Sequence, residues 1–273
     1  MSTSVVLRPS GLEVPMSRAT NLEHLSALHL SHAKAQYRAQ FEDPSMTELD
    51  FDERLCRILD YEIAMRANAR VQRRTREAGF SMRAAPEDFE LSEGRGLTRE
   101  RYRSLVSLSW LSSHHHLAIT GPTGVGKTYL GIALGVSAIR AGYLVRYYKL
   151  SKLLEKVGIA RADGTYPSFA AALARTHLLV LDDWGISPIS PLGSREILDL
   201  LDDRGENGSL IISSQLPVSA WYESLGERTV ADAIMDRIVH NAIPVELKGE
   251  SMRKQRSQRK EENGPTEPGP ELE

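Results

Sequence analysis

One octapeptide constrains the fold of this chain more than any other stretch: GPTGVGKT, at residues 121–128. It matches the pattern G-x-x-x-x-G-K-[ST] and lies between an apolar run at 117–120 and a helical pattern at 129–134. Such a loop lets backbone N–H groups converge on phosphates at the N-terminus of the next helix. The predicted nucleotide-binding residues are Gly121, Pro122, Thr123, Gly124, Val125, Gly126 and Lys127. Lys127 is predicted to reach the β- and γ-phosphates, and Thr128 to offer its hydroxyl to Mg²⁺.

Strands and helices alternate after this loop. Short apolar runs predict buried parallel strands, and amphipathic stretches separate them. The predicted strands are 143–150, 178–181 and 210–212, and the predicted helices are 151–160, 168–175 and 193–203. Together with the phosphate loop at the first turn, this order indicates an α/β fold of three layers around a mainly parallel sheet. The active site is expected at the carboxyl ends of the strands.

The strand predicted at 178–181 leads directly into two aspartates, Asp182 and Asp183. An acidic residue that follows a buried strand helps to hold Mg²⁺ in phosphate-loop ATPases, and Asp182 is predicted to do so. Asp183 stands where many ATPases carry a glutamate that activates the attacking water. Because aspartate is one methylene shorter than glutamate, slow hydrolysis is expected. The phosphate loop upstream favours this interpretation over a simple polar helix cap.

Two further features predict residues that respond to the γ-phosphate. Ser214 and Gln215 follow the strand at 210–212, and the sequence does not decide which of them senses the phosphate. Arg237 is a prominent cation in the helical stretch 232–239. It is either an arginine finger supplied to a neighbouring subunit or the ion-pair partner of Asp232 or Asp236.

The N-terminal region is predicted to be helical with a basic end. Residues 1–20 read as a loose arm, and a helical pattern runs from 21 to about 41 and again from 52 to 78. The second helix begins with an apolar stripe formed by Leu55, Ile58, Leu59 and Ile63. Five arginines follow without an acidic residue: Arg66, Arg70, Arg73, Arg74 and Arg76. Such a surface suits DNA phosphates, but a solvated or salt-bridged helix face is equally compatible with the pattern.

Composition sets wider limits on the 273-residue chain. The net charge of −2 hides an uneven distribution, because residues 248–260 are basic and residues 261–273 are rich in Glu, Pro and Gly and predicted to be disordered. The single cysteine, Cys56, excludes an intrachain disulfide. There is no signal-peptide pattern and no apolar run of about 20 residues, so a cytoplasmic protein without a membrane partner is expected. The run at 114–116, three histidines, is interpreted as a loop before the first strand rather than a zinc site.

Several of these segments together resemble the IstB family. The resemblance rests on the phosphate loop and on residues 182–185, 214–217, 236–241 and 247–254, and it covers about residues 20–256. IstB proteins are AAA+ ATPases that serve the transposases of bacterial insertion sequences, and they are similar to the helicase loader DnaC. The resemblance implies ATP and Mg²⁺ as cofactors, duplex DNA and a transposase as partners, and a homo-oligomer whose active sites are shared between subunits. It also implies that Arg237 is an arginine finger and that Arg253 is a second sensor.

The predicted organisation follows from these segments. A flexible arm at 1–20 precedes a helical DNA-binding domain at 21–80, an ATPase domain at 81–256 and a disordered tail at 257–273. Residues 81–103 are expected to form a linker or to line the adenine side of the nucleotide site, and their spacing does not decide between the two. The predicted function is ATP-dependent remodelling of duplex target DNA for a transposase, and the alternative is a DnaC-like helicase loader. One departure from the family is residues 243–245, Ile-Pro-Val, where a basic residue is expected before the last strand.

Overall fold

The computed structural model describes residues 17–91, 94–205 and 208–252. The chain divides between Gln72 and Arg73 into two compact units. This division falls inside a long helix, whereas the sequence predicts a domain boundary at residues 80 and 81. The predicted domain boundaries remain predictions.

The first unit is helical. It contains α1 (Arg18–Ala27), α2 (Ser31–Ala39), a 3-10 turn (Pro44–Glu48) and the first part of α3 (Phe51–Ala78). The single helix predicted from residue 21 to about 41 is wrong, because α1 ends before His29, whose φ is 55°. A left-handed backbone conformation cannot continue a right-handed helix, so the chain starts a new helix at Ser31.

The predicted apolar stripe on α3 is mostly exposed. Ile58 is 8% exposed, but Leu55, Leu59 and Ile63 are 38%, 45% and 66% exposed. The buried side of α3 in this unit instead carries Ile58 and, one turn later, Glu62. The Glu62 carboxylate accepts a hydrogen bond from the backbone N–H of Ala33 at 2.6 Å. The burial of α3 in this unit therefore combines an apolar contact with a polar one.

The second unit is the predicted α/β fold. Its elements are α4 (Arg99–Val106), α5 (Ser109–Ser112), β1 (His116–Thr120), α6 (Lys127–Arg140), β2 (Val145–Lys149), α7 (Leu150–Ala162), α8 (Tyr166–Ala174), β3 (Leu178–Trp184), α9 (Pro191–Arg204), β4 (Ser209–Ser214), α10 (Arg228–Val239) and β5 (Ala242–Glu246). The strands form one sheet in the order β2-β3-β4-β1-β5. Every pair of neighbouring strands is parallel. The fold prediction is confirmed.

Helices cover both faces of this sheet. Gly131 of α6 lies against Ile211 and Val180 on one face. The residues that alternate with these, such as Leu179 and Ile212, belong to the apolar cluster formed with α7 to α10 on the other face. Strand residues covered on both sides must be continuously apolar, which explains the uninterrupted run at 178–181. Among the described residues, no helix is both long and apolar enough to cross a membrane.

Candidate active site

The phosphate loop joins β1 to α6, as predicted. The Lys127 ammonium folds back onto the loop and donates hydrogen bonds to the carbonyls of Gly121 and Pro122, each at 2.8 Å. Burial lowers the pKa of Lys127, whereas the carboxylates of Asp182 and Asp183 act in the opposite direction. Lys127 is therefore a partly desolvated cation at the N-terminus of α6, an arrangement that attracts phosphate.

A C-terminal segment, Leu247 to Met252, passes over the loop. The N–H of Leu247 donates to the Thr120 carbonyl at 2.8 Å, and the N–H of Met252 donates to the Gly124 carbonyl at 3.0 Å. A Cβ atom added at Gly124 would collide with the Ser251 side chain, so this close approach requires glycine. Arg253 is the next residue after Met252 but lies outside the described residues, and its role as a second sensor stays a prediction.

Asp182 lies at the centre of a buried hydrogen-bond network and is 2% exposed. The Thr128 hydroxyl donates to both carboxylate oxygens, at 2.9 and 3.1 Å. The Tyr147 hydroxyl donates to Oδ2 at 2.7 Å, and the Ser213 hydroxyl donates to Oδ1. A carboxylate beside a hydroxyl is a hard oxygen donor set, which suits Mg²⁺ when phosphate oxygens and water complete its coordination. The two residues predicted to hold the metal are therefore adjacent and fit it.

Asp183 has different surroundings from Asp182. Its carboxylate forms an ion pair with Lys149 at the end of β2, at 2.7 Å, and lines the same cavity as Lys127 and Thr128. The pairing of β3 with β4 shifts register between Leu181 and Trp184, and Asp183 has a φ of 63°. The chain leaves the regular ladder at this point, and the two aspartates lie in different environments.

The two candidate sensors also differ. Ser214 is 1% exposed, and its hydroxyl donates to the Trp184 carbonyl at 2.7 Å and accepts from the Leu216 N–H at 3.0 Å. Gln215 is exposed, and its side-chain oxygen accepts a hydrogen bond from the hydroxyl of Thr123 in the phosphate loop at 2.7 Å. Both residues line the cavity. The Gln215 side chain contacts the loop, whereas the Ser214 hydroxyl is occupied by backbone groups.

A cavity of about 300 Å³ connects these groups with the segment before β1. Its far side includes Phe89 and Arg95, which come from the predicted adenine-side segment. The Arg95 guanidinium lies 5.2 Å from the centre of the Phe89 ring and donates to the Val125 carbonyl of the phosphate loop at 2.8 Å. The cavity thus has a charged end at the loop and an aromatic side, the two surfaces that a nucleotide requires.

Arg237 pairs with neither of the aspartates considered from the sequence. Its Nε atom lies 2.6 Å from a carboxylate oxygen of Asp202 on α9, and its Nη1 donates to the Ala233 carbonyl at 2.9 Å. The predicted alternative of an ion pair with Asp232 or Asp236 is therefore wrong. Arg237 is not among the described residues that line the cavity of its own chain.

The five arginines of α3 have unequal surroundings. In the first unit, Arg66 pairs with Glu62 at 2.6 Å and donates to the His29 carbonyl at 2.7 Å. In the second unit, Arg73 lies 3.8 Å from Glu77, and Arg74 donates to the Gly142 carbonyl. Arg70 and Arg76 are exposed. The salt-bridged alternative thus applies to Arg66 and Arg73, and the predicted DNA contacts remain predictions.

The sequence reasoning missed Tyr147 and Lys149, which contact Asp182 and Asp183 from β2. Burial, together with these carboxylates, raises the pKa of the Tyr147 hydroxyl, although the hydrogen bond from Ser81 acts in the opposite direction. Tyr147 and Lys149 alternate along β2 and therefore point to the same face of the sheet. Polar residues spaced in this way, on a strand that ends near the phosphate loop, could have predicted contacts with the site. The sequence does not show that β2 pairs with β3, and this pairing is what brings the two residues beside the aspartates.

The fold and the cavity define an ATPase of the AAA+ P-loop class. Residues 20–260 match the family profile described as IstB-like ATP binding protein. The chain belongs to this family. The insertion sequence ATP-binding protein y4pL of Sinorhizobium fredii is 38% identical over 233 residues, which are 85% of this chain and 95% of the relative. The insertion sequence IS21 ATP-binding protein of Pseudomonas aeruginosa is 30% identical over 229 residues, covering 84% and 86% of the two chains.

Solved structures show the same fold at lower identity. The replication initiator DnaA, in a structure with AMPPCP and single-stranded DNA bound, matches with a TM-score of 0.52 at 21% identity, covering 67% of this chain and 56% of that chain. DnaI matches with a TM-score of 0.52 at 22% identity, covering 61% and 92% of the two chains. These similarities support the assignment of the fold alone.

Proposed function

We propose that the site binds ATP with Mg²⁺ and hydrolyses it with Asp183 as the residue that orients and deprotonates the attacking water. The observation that carries this proposal is the convergence of Lys127, Thr128 and Asp183 on one cavity, with Asp182 hydrogen-bonded to Thr128. Lys127 binds the β- and γ-phosphates, and the hydroxyl of Thr128 and the carboxylate of Asp182 hold the metal. Bound Mg²⁺ neutralises charge that develops on the phosphate oxygens.

Two further residues complete the proposed reaction. Gln215 senses the γ-phosphate, because its exposed side chain already contacts Thr123 of the loop. Arg237 acts on the γ-phosphate of a neighbouring subunit, since it lies outside the cavity lining of its own chain. An arginine finger supplied in trans raises the rate of phosphoryl transfer by about a thousandfold or more. On this proposal full hydrolysis requires a homo-oligomer.

We propose that the protein uses this ATPase cycle to regulate insertion-sequence transposition. It assembles on duplex target DNA, remodels it and presents it to a partner transposase. Relatives that are named as insertion sequence ATP-binding proteins support the context. The exposed side chains of Arg70 and Arg76 support direct contact with DNA phosphates.

A second candidate function is favoured by the exposed apolar residues of α3. Leu55, Leu59 and Ile63 recur every four residues and are between 38% and 66% exposed. A contiguous exposed apolar surface of this kind marks a protein partner more often than a nucleic acid. A helicase loader that docks on its helicase through this region would use such a surface.

Binding of duplex DNA at several salt concentrations, measured together with ATP turnover, tests the proposed function. Arg70→Glu is expected to weaken duplex binding and to reduce the slope of log affinity against log salt by about one. Arg57→Glu is the matched control, because Arg57 is exposed on the same helix but lies outside the basic segment.

Electron microscopy of the protein with ATP and duplex DNA should show an ordered oligomer around bent DNA.

Two results would contradict this function. The first is duplex binding that Arg70→Glu and Arg57→Glu reduce equally. The second is a protein that stays monomeric with duplex DNA but forms a stable complex with a replicative helicase through the α3 apolar surface. This second result would favour the helicase loader.

A further inference from the structure

The Tyr147 hydroxyl donates a hydrogen bond to the carboxylate of Asp182, in addition to the one from Thr128 at the end of the phosphate loop. Tyr147 lies on β2 and is 5% exposed, and Asp182 lies on the neighbouring strand β3 and is 2% exposed. The hydroxyl donates to Oδ2 at 2.7 Å. A charge-assisted hydrogen bond in such a dry environment is strong, and it restricts rotation of the carboxylate about its own axis.

Three hydroxyls share the two oxygens of this carboxylate. Thr128 donates to both of them, Ser213 to Oδ1 and Tyr147 to Oδ2. The Thr128 hydroxyl has a single hydrogen for both oxygens, and it keeps this hydrogen when one of its lone pairs binds a metal ion. Tyr147 and Ser213 each add one further donor, one to each carboxylate oxygen, and together they keep the carboxylate in place. Groups that orient a metal ligand in this way strengthen metal binding without touching the metal.

Tyr147 is itself held by the segment that follows α3. The Ser81 hydroxyl donates to the Tyr147 oxygen at 2.9 Å, and the Phe80 ring meets the Tyr147 ring edge-on with the ring centres 6.2 Å apart. The preceding strand residue, Arg146, donates to the Glu77 carbonyl in the last turn of α3 at 2.6 Å. A continuous set of contacts therefore joins the C-terminal end of α3 to β2 and, through Tyr147, to Asp182.

We propose that Tyr147 is a positioning residue for Asp182 and that Ser81 acts through Tyr147, so that the end of α3 and the metal site are coupled. The proposal rests on the proposed role of Asp182 in holding Mg²⁺. It adds a residue from outside the phosphate loop and the acidic strand to the machinery of hydrolysis.

The test is the Mg²⁺ dependence of fluorescent ADP binding to the full chain, a measurement that requires no turnover. Tyr147→Phe retains the ring that packs on Phe80 and removes only the hydroxyl. We expect it to bind ADP without Mg²⁺ as the unmodified protein does, and to need about tenfold more Mg²⁺ for half of the metal-dependent gain in affinity. Tyr148→Phe is the matched control, because Tyr148 is the next residue on β2 and faces the other side of the sheet.

Ser81→Ala tests the second half of the proposal. It should raise the Mg²⁺ requirement by a smaller factor, and it should have no additional effect in the Tyr147→Phe background, because both changes act on one path. Full additivity of the two changes would overturn the coupling. Equal Mg²⁺ requirements for Tyr147→Phe and Tyr148→Phe would overturn the positioning role. If Mg²⁺ fails to strengthen ADP binding even in the unmodified protein, the metal role of Asp182 is wrong, which is a separate failure.

Discussion

Ser214 and Gln215 are neighbours in the sequence, but their side chains have different hydrogen-bond partners in the fold. The Ser214 hydroxyl bridges the Trp184 carbonyl and the Leu216 N–H in the interior. The Gln215 amide is exposed and contacts Thr123 of the phosphate loop. A hydroxyl that bridges two backbone groups stabilises the fold, whereas an exposed amide beside the loop is accessible to a phosphate. We therefore propose a structural role for Ser214 and keep the proposed sensor role for Gln215.

Alanine substitutions should separate these two roles. Ser214→Ala removes the hydroxyl partner of the buried Trp184 carbonyl and of the half-buried Leu216 N–H, so it should lower the free energy of unfolding by about 1–3 kcal/mol. Gln215→Ala should leave that free energy within about 0.5 kcal/mol of the original and lower kcat. Urea unfolding and steady-state ATPase assays on both variants measure this. A stable Ser214→Ala variant with low kcat, beside an active Gln215→Ala variant, would reverse the assignment.

Single residues in local motifs were the easiest to predict from the sequence. Lys127, Thr128 and Asp182 belong to patterns whose spacing is fixed by the loop and by the strand that it faces, and the fold brings them together. Tyr147 and Asp202 were not predicted, because each acts on a residue from another element. Their partners depend on the order of strands and the packing of helices, which no local pattern encodes.

At the scale of elements, His116 joins strand β1 to β4 and to helix α10. Its Nδ1 atom accepts a hydrogen bond from the Leu210 N–H at 3.2 Å, and the ring also hydrogen-bonds to the backbone at Arg237. Burial lowers the pKa of His116 from 6.5 to about 4, and the charge of Arg204 acts in the same direction. The folded protein therefore holds this histidine neutral above about pH 4.

This neutral histidine should make stability depend on pH. Between pH 6.5 and about pH 4 the unfolded chain binds a proton at His116 that the folded chain does not. The contribution of His116 is therefore complete above pH 6.5 and is lost as the pH falls towards 4, by up to about 3 kcal/mol. Urea unfolding at several pH values should show the stability advantage of the original protein over His116→Gln shrinking across this window.

The neighbouring residue His114 provides the control, because it is exposed and belongs to the same run of histidines. His114→Gln should keep the full pH dependence of the original protein. A constant stability difference between the original protein and His116→Gln from pH 7.5 to pH 4.5 would contradict the role given to His116.

The sequence predicts which segments of the second unit are strands, because strands covered on both faces must be continuously apolar. The helix break at His29 does not follow, since a histidine at positive φ has no sequence signature. The exposed face of α3 was also not predicted. Periodicity places Leu55, Leu59 and Ile63 on one side of a helix, but it cannot show whether another element covers that side.

At the scale of the whole molecule, the proposed ATPase site includes residues that one chain does not bring together. Lys127 and Asp183 line one cavity, whereas Arg237 is held by Asp202 on α9, apart from that lining. The sequence alone did not decide whether Arg237 is an arginine finger or the partner in a local ion pair. The contact with Asp202 shows that Arg237 does form an ion pair within its own chain. To act as the proposed finger, Arg237 must release or share its contact with Asp202 and extend towards a second subunit.

The central claim is that the active site is shared between subunits, and mixing two inactive variants tests it most directly. Lys127→Ala should abolish hydrolysis in its own cavity and still supply Arg237, and Arg237→Ala should bind ATP but hydrolyse it about a thousandfold more slowly. ATP turnover of the mixture, with duplex DNA present, should far exceed the sum of the two separate variants. Turnover equal to that sum would contradict a shared site and leave Arg237 as the structural partner of Asp202.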